Sequence, residues 1–311
     1  MSEIVTITFC PAIDKSTSVD IFIPEKKLSC TPPKFEPGGG GINVVRAIKK
    51  MGEKATAICF GGGYSGIFFK KLLSDENVKN IFIKSKENTR ENLTVLETST
   101  NKQFRFGMPS PKIYKSEWQV CLKYIKDLKD VKFIVISGSL APNLPSNVFD
   151  IIAKITQQKA IKLIVDTSNE ALKKALLAGV YMIKPNLKEL SYLVGKDLIS
   201  IDEVAFYAQK IIKDYQCEIV VVSLGELGAT LVTKNHIINI PSPKVLVKST
   251  VGAGDSMMAG MLIKLIKNKS LNEVLAYGIA SGTAATMNAG TSLCKQKDVR
   301  KLFNLIQKNK N

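Results

Sequence analysis

From residue 113 to residue 223 the chain alternates two kinds of segment with little between them. Stretches with apolar residues at helical spacing, 116–129, 146–159 and 202–215, each precede a short β-branched run. Those runs are Phe133-Ile134-Val135-Ile136, Lys162-Leu163-Ile164-Val165-Asp166 and Ile219-Val220-Val221-Val222-Ser223. Tyr181-Met182-Ile183-Lys184 is a further strand, and a helix follows it from about Lys188. Strands that are apolar throughout and joined by helices lie parallel, with helices covering both faces of the sheet. The alternation thus predicts an α/β fold on a mostly parallel sheet, with ligands bound beyond the strands' C-terminal ends. Polar residues gather at those ends: Ser137-Gly138-Ser139, Asp166, Lys184-Pro185-Asn186 with Glu189, and Ser223-Leu224-Gly225 with Gly228. Asn186 and Glu189 are three apart at a helix start and share a face. Such an oxygen pair can hold a hydrated Mg²⁺ or order water around a phosphate.

The first third is less regular. Ile4-Val5-Thr6-Ile7-Thr8-Phe9 predicts a strand, with Asp14 at its C-terminal end either facing a ligand or serving as a turn residue. Residues 16–36 alternate polar and apolar with prolines among them, which predicts short edge strands. Gly38-Gly39-Gly40-Gly41 precedes a helix carrying Val44, Val45, Ile48 and Met51 and stopping at Gly52. Bare backbone there lets a ligand approach closely, and Asn43 can both donate to and accept from sugar hydroxyls. Residues 55–60 and 78–83 predict strands on either side of a helix near Gly66. Residues 89–95 and 103–106 predict a hairpin around Ser99-Thr100-Asn101. Lys27 and Arg90 lie on these non-core strands, where they suit a phosphate or are ordinary surface charge.

Ser249-Thr250-Val251-Gly252-Ala253-Gly254-Asp255-Ser256 then leads into a helix marked by Met257, Met261, Leu262, Leu265 and Ile266. Glycine backbone at a helix N-terminus is an anion site, because free N–H groups and the helix dipole point the same way. An aspartate inside it can take a proton from a hydroxyl while the N–H groups hold the phosphoryl group under attack. The plainer role for Asp255 is an N-cap.

Lys+Arg 44 against Asp+Glu 27 gives a net charge of +17, which suits nucleic acid, acidic membranes or anionic small molecules. The lysines are scattered with little aromatic interleaving, which argues against a nucleic-acid stripe. The glycine run at 38–41 follows no clear core strand and precedes no Gly-Lys-Ser/Thr, so neither a dinucleotide-binding oxidoreductase nor a P-loop is indicated. Six cysteines without a C-x-x-C pair, one histidine, and no leader or membrane-length apolar run predict a reduced, cytoplasmic protein without structural zinc. No internal repeat or long linker appears, and the tail after 298 predicts one amphipathic helix.

With these positions assembled, the chain resembles the ribokinase-like (PfkB) family of sugar kinases over essentially its whole length. Gly38-Gly39-Gly40-Gly41-Ile42-Asn43 and Thr250-Val251-Gly252-Ala253-Gly254-Asp255 carry most of the resemblance, with Lys184-Pro185-Asn186-x-x-Glu189 and Ser223-Leu224-Gly225-x-x-Gly228 in order between them. Within the family it is most similar to the sugar-phosphate branch, and there to the minor bacterial type of 6-phosphofructokinase. The 1-phosphofructokinases and tagatose-6-phosphate kinases usually carry lysine where this chain has Gly40. Ala141-Pro142-Asn143 stands where Pro-Pro-Gly is common, and Ile23 replaces an aromatic linked with inhibition by a second MgATP.

The resemblance implies one ribokinase-like α/β kinase domain over 1–311, with a discontinuous β lid at about 15–36 and 88–108. It implies transfer of phosphate from ATP to the 1-hydroxyl of a ketohexose phosphate, fructose 6-phosphate first; tagatose-6-phosphate kinase or 1-phosphofructokinase is the alternative. Asp255 would be the base, and the N–H groups of Gly252, Ala253 and Gly254 the anion hole. Asp14, Gly39 and Asn43 would bind sugar hydroxyls, and Lys27, Arg90 and Ser139 the 6-phosphate. Lys184, Asn186 and Glu189 would serve the nucleotide phosphates and Mg²⁺, with Glu189 reaching the metal through water. Ser223, Gly225 and Gly228 would line the nucleotide path. Ser249, Val251, Ala285, Asn288 and Gly290 match a monovalent-cation site, with K⁺ the expected ion. Lids in this family often pair between subunits, which implies a homodimer. No nucleic acid or membrane partner is implied.

Overall fold

A computed structural model describes residues 2–308. The chain opens with β1 (Ile4–Thr8), β2 (Ala12–Val19), β3 (Lys34–Gly38), α1 (Gly40–Lys50), β4 (Thr56–Gly61), α2 (Gly63–Asp75) and β5 (Asn80–Lys84). It continues through β6 (Arg90–Glu97), β7 (Lys102–Phe106), α3 (Lys115–Asp127), β8 (Phe133–Ser137), α4 (Val148–Gln158), β9 (Lys162–Asp166), α5 (Asn169–Ala178) and β10 (Val180–Ile183). The last third holds α6 (Leu187–Leu193), α7 (Val204–Asp214), β11 (Cys217–Ser223), β12 (Ala229–Val232), β13 (Ile237–Ile240), α8 (Ala253–Ile266), α9 (Leu271–Thr286) and α10 (Gln296–Lys308).

Nine strands make the main sheet, in the order β13-β12-β11-β10-β9-β8-β1-β4-β5. From β11 to β5 every pairing is parallel, as the alternation of segments requires. β12 and β13 extend one edge antiparallel. A two-layer core follows. One cluster packs α1, α2, α8, α9 and α10 on one face, and the other packs α3, α4, α5 and α7 on the opposite face. Among the described residues, no helix is long and apolar enough to cross a membrane.

The second sheet has the order β3-β2-β6-β7. It is mixed: β6 runs parallel to β2 with Ala12 opposite Arg90, and the other pairs are antiparallel. Two local expectations are corrected here. Residues 16–36 are not a series of short strands, for β2 and β3 flank a segment, 20–33, without regular strand. Pro24, Pro32 and Pro33 deny that segment the N–H groups a ladder needs. Asp14 does not end the first core strand either. β1 stops at Thr8, and the chain passes through Cys10-Pro11 into the second sheet, where Asp14 is the third residue of β2. Strand β5 begins two residues later than expected, at Asn80, and α5, α9, β12 and β13 were not anticipated.

Candidate active site

Two helix N-termini meet at the C-terminal edge of the main sheet. Helix α8 begins after Gly252, whose φ of +73° lies in the left-handed region; a Cβ there would also sit 2.5 Å from Leu293 Cδ2. Among the described residues the N–H groups of Gly252 and Gly254 have no hydrogen-bond partner, and that of Ala253 makes only a long bond of 3.4 Å to Thr250 O. Asp255 stands in the first turn. Helix α1 begins after Gly39 and presents Asn43 from its own first turn. Asn43 Nδ2 donates to Asp255 Oδ2 at 2.9 Å. Position 40 has no room for a side chain: a Cβ there would lie 2.3 Å from Ser137 Oγ and 2.8 Å from Gly138 N.

Between these elements lies a cavity of about 340 Å³. Gly40, Ser139, Gly254 and Asp255 line one part of it, and Asp166, Lys184, Asn186, Glu189 and Ser223 the other. Lys184 follows β10, Asp166 ends β9, and Lys184 Nζ is 3.3 Å from Asp166 Oδ1 in a nearly sealed pair. A Cβ on Gly254 would be 3.4 Å from that same Nζ, so the ammonium faces the start of α8. Asn186 and Glu189 form a capping box, each side chain accepting from the other's backbone N–H at 2.9 Å. That use of one oxygen each was not foreseen for a pair expected to serve only metal and phosphate; one oxygen of Glu189 remains for a ligand. A second hollow of about 240 Å³ adjoins through Asn186 and Ser223, with Gly225, Leu224, Leu227 and Ile201 on its walls. Gly228 closes the turn into β12, its carbonyl accepting from Leu224 N–H at 2.9 Å.

Electrostatics distinguish the carboxylates. Burial pushes Asp255 up to about 6, with the Asp166 charge adding to it and the Asn43 bond and Lys184 opposing it. Burial also raises Asp166, which Lys184 offsets only in part. Burial alone would lower Lys184, but Asp166, Asp255 and Glu189 together hold it above the ordinary lysine range.

On the second sheet, Asp14 Oδ1 accepts from Asn92 Nδ2 at 3.0 Å, and burial raises its pKa. Arg90 begins β6 beside it and donates from Nη2 to Cys10 O at 2.9 Å, while its buried Nε has no partner among the described residues. Arg105 of β7 donates to Thr250 Oγ1 at 3.2 Å, so this sheet touches the loop before α8. Lys27 is not brought to the others. It stands exposed between β2 and β3 and, among the described residues, makes no hydrogen bond or ion pair.

The residues matched to a cation site lie together behind Gly252. Ser249 N–H donates to Thr286 O at 3.2 Å, and Val251 N–H to Ser249 Oγ at 3.2 Å. Asn288 N–H donates to Ala285 O at 3.1 Å, and its Nδ2 holds Ala284 O and Leu293 O, leaving Oδ1. Gly290 turns at φ +58° in the same stretch. Neutral carbonyl and amide oxygens of this kind fit a monovalent cation. No group of three or more His, Cys, Asp or Glu able to hold a metal occurs among the described residues. A Mg²⁺ that keeps its waters and leans on one or two carboxylates fits Glu189 and Asp166 better than a cage of side chains would.

Sequence reasoning missed Asn92 and Arg105, and saw Asp166 only as a polar strand end. Asn92 and Arg105 carry no motif; they acquire neighbours only when β6 pairs with β2. A hollow of about 810 Å³ opens at the opposite edge, where β9, β10 and β11 begin, and contains none of these site residues.

Comparisons with known proteins agree on one family. A model of the pfkB family carbohydrate kinases matches residues 4–298. The chain is 42% identical over 304 residues to ATP-dependent 6-phosphofructokinase isozyme 2 of Escherichia coli, covering 97% of this chain and 98% of that one. It is 30% identical to the 1-phosphofructokinase of Borreliella burgdorferi, covering 96% of each. Phosphofructokinase-2 from Escherichia coli, solved in complex with fructose-6-phosphate, superimposes with a TM-score of 0.93 at 40% identity, covering 99% of this chain and 100% of that one. The same enzyme has been solved in complex with potassium, at a TM-score of 0.94, 42% identity and the same coverage. It has also been solved as a tetrameric inhibited form, at a TM-score of 0.93, 40% identity and the same coverage.

Proposed function

The chain belongs to the pfkB family of carbohydrate kinases, and from that premise we propose that it phosphorylates the 1-hydroxyl of fructose 6-phosphate with ATP, giving fructose 1,6-bisphosphate and ADP. The observation that carries the proposal is the pair of Asp255 and Asn43 at two converging helix N-termini. A carboxylate there reaches an acceptor hydroxyl while unpartnered N–H groups await a phosphoryl group.

Phosphoryl transfer needs position and charge stabilisation more than covalent help. Asp255 takes the proton of the attacking hydroxyl. The N–H groups of Gly252, Ala253 and Gly254, backed by the dipole of α8, take the charge that builds on the transferring group. Lys184 supplies a fixed positive charge beside them. Ser223 and Gly225 border the hollow assigned to the nucleotide, Gly228 closes the turn that follows them, and Asn186 and Glu189 stand between that hollow and Asp255. Mg²⁺, when bound, neutralises phosphate charge and is assigned to Glu189 and Asp166. K⁺ is assigned to the turn holding Ser249, Val251, Ala285, Asn288 and Gly290.

Asp14, Gly39 and Asn43 are assigned to the sugar hydroxyls, and Arg90 and Ser139 to its phosphate. The deciding experiment is an ADP-release assay comparing fructose 6-phosphate, tagatose 6-phosphate, fructose 1-phosphate and free fructose. A kcat/KM preference for fructose 6-phosphate is expected; preference for either other ester moves the enzyme to a neighbouring branch. Arg90→Ala is expected to raise KM for the sugar phosphate by about tenfold or more, with kcat less affected, since a charge-assisted contact is lost. An unchanged KM returns Arg90 to a purely structural part.

The second sheet acts as a lid, and its outer face suits a second copy of the chain. Phe22 stacks on Phe104 at 4.6 Å, and Ile21, Phe22, Phe104, Phe106 and Met108 are all exposed on it. Pairing two such faces makes a homodimer and covers the open edges of β3 and β7. Lys27, solitary in one chain, is assigned a sugar phosphate held at that interface. Phe106→Glu is expected to yield monomers by sedimentation velocity, with weakened sugar binding. A dimer that persists in this variant rules out the face. Six cysteines without a disulfide fit a cytoplasmic setting.

A further inference from the structure

Arg46 is the largest side chain sealed from solvent among the described residues, 1% exposed in the middle of α1. A guanidinium keeps its charge and offers five N–H donors. All three of its nitrogens are engaged. Nε donates to Glu76 Oε2 at 2.8 Å, and Nη2 to Glu76 Oε1 at 2.6 Å and Glu36 Oε1 at 3.2 Å. Nη1 reaches Pro37 O at 3.0 Å, Asn43 Oδ1 at 3.2 Å and Thr291 O at 3.3 Å. Glu36 is held in turn by Lys34 at 3.0 Å and by Thr291 Oγ1 at 2.9 Å.

One of these bonds leads to the reacting groups. A carboxamide has a donor end and an acceptor end, and rotation by half a turn exchanges them. With Oδ1 held by Arg46, Nδ2 points at Asp255. Turned over, the amide would set oxygen against carboxylate and NH₂ against guanidinium, two repulsions in place of two hydrogen bonds. Buried ion clusters add little net stability, so stability is a weak reason for a charge here.

We propose that Arg46 is a positioning residue for phosphoryl transfer: it holds the Asn43 carboxamide in the orientation that donates to Asp255, and ties that orientation to lid strand β3 through Glu36 and Pro37 and to the turn at 287–293 through Thr291. The proposal rests on the reading of Asp255 as the base. Arg46 touches neither substrate; it acts through Asn43. Glu36 and Lys34 of β3, Asp14 of β2 and Glu76 beyond α2 are the charged groups around it, and Asp14, Asp166 and Lys184 are those around Asp255.

The test is a double-mutant cycle between positions 43 and 46, read as kcat and KM with ATP and fructose 6-phosphate. Arg46→Lys keeps the charge but has one nitrogen in place of three. It is expected to lower kcat by about tenfold or more with each KM changed by less than about threefold. Asn43→Ala removes the same bond from the other side. In that background, adding Arg46→Lys is expected to change kcat by less than about twofold, because nothing is left to orient.

Should Arg46→Lys not fold, Arg46→Met combined with Glu36→Gln and Glu76→Gln leaves no buried charge unpaired. A folded triple variant with kcat down by about tenfold supports the proposal, and one with wild-type kcat overturns it. Equal losses from Arg46→Lys in both backgrounds also overturn it, for Arg46 would then act by another route. Near-normal activity of Asp255→Asn removes the underlying base reading instead. An inactive Asp255→Asn together with an additive cycle removes only the role of Arg46.

Discussion

Asp255→Asn is expected to lower kcat by a factor of about a hundred or more and, at the same time, to raise the melting temperature. The two effects share a cause. In the fold the Asp255 pKa rises from 3.8 to about 6, so the neutral form is the one the protein accommodates. The stability that this group contributes is complete below the unfolded value and is lost as pH rises through about 6. At neutral pH the ionised carboxylate therefore burdens the fold by up to about 3 kcal/mol, an upper figure because Asp255 keeps a face on the cavity. Asparagine lifts that burden and loses the base. In the native enzyme kcat/KM should fall tenfold per pH unit below about 6, since only the carboxylate accepts a proton. Calorimetry and a pH–rate profile check both halves. An asparagine variant less stable than the native protein contradicts the account of the strained carboxylate, and one retaining activity contradicts the assignment of the base.

Lys184→Met, a few ångströms away, is expected to act with the opposite sign on stability. Lys184 is the cation that buried Asp166 and Asp255 share. Its removal leaves two carboxylates facing each other without a counter-charge, at a cost of roughly 3–5 kcal/mol. The melting temperature should drop by roughly 10 °C. Asp255 should rise further, moving the acid limb of the pH–rate profile to higher pH. KM for ATP is expected to increase about tenfold or more, as a phosphate contact is lost. A melting temperature within a degree or two of native would mean that the pair is hydrated rather than sealed.

Backbone-scale features were readable before any coordinates. Apolar strand runs and helix spacing from 113 to 223 specify a parallel sheet because both faces of each strand must be covered. The positions of Ser137, Asp166, Lys184 and Ser223 follow from where such strands end. What could not be read depends on partners distant in sequence. Asn43 and Asp255 each had a local explanation, a sugar-binding amide and a helix cap; their bond joins residues 212 apart. Arg46 lies in the helix carrying Val44, Val45, Ile48 and Met51 and matches no motif. In the fold residues 41–48 are all buried, because α1 is covered by the sheet on one side and by α8 on another. A charge at helical spacing from Asn43, inside an otherwise apolar stretch, was the one available signal. Asp14 was misplaced by a single strand because Cys10-Pro11 resembles a strand end and in fact carries the chain from one sheet into the other. The mixed pairing in the second sheet had no local signal, since β2 and β6 lie 78 residues apart in register.

That separation bears on the order in which the molecule assembles. Closing so large a loop carries an entropic cost before any contact repays it, and non-local parallel pairing is slow for that reason. Strands β8 to β11 and their helices, joined by short local connections, can collapse first. Asn92 reaches Asp14, and Arg90 reaches Cys10, only after β4, α2 and β5 have brought the two strands into register. A refolding chain should therefore acquire affinity for nucleotide earlier than affinity for the sugar phosphate, and pass through a stage at which one half of its chemistry exists without the other.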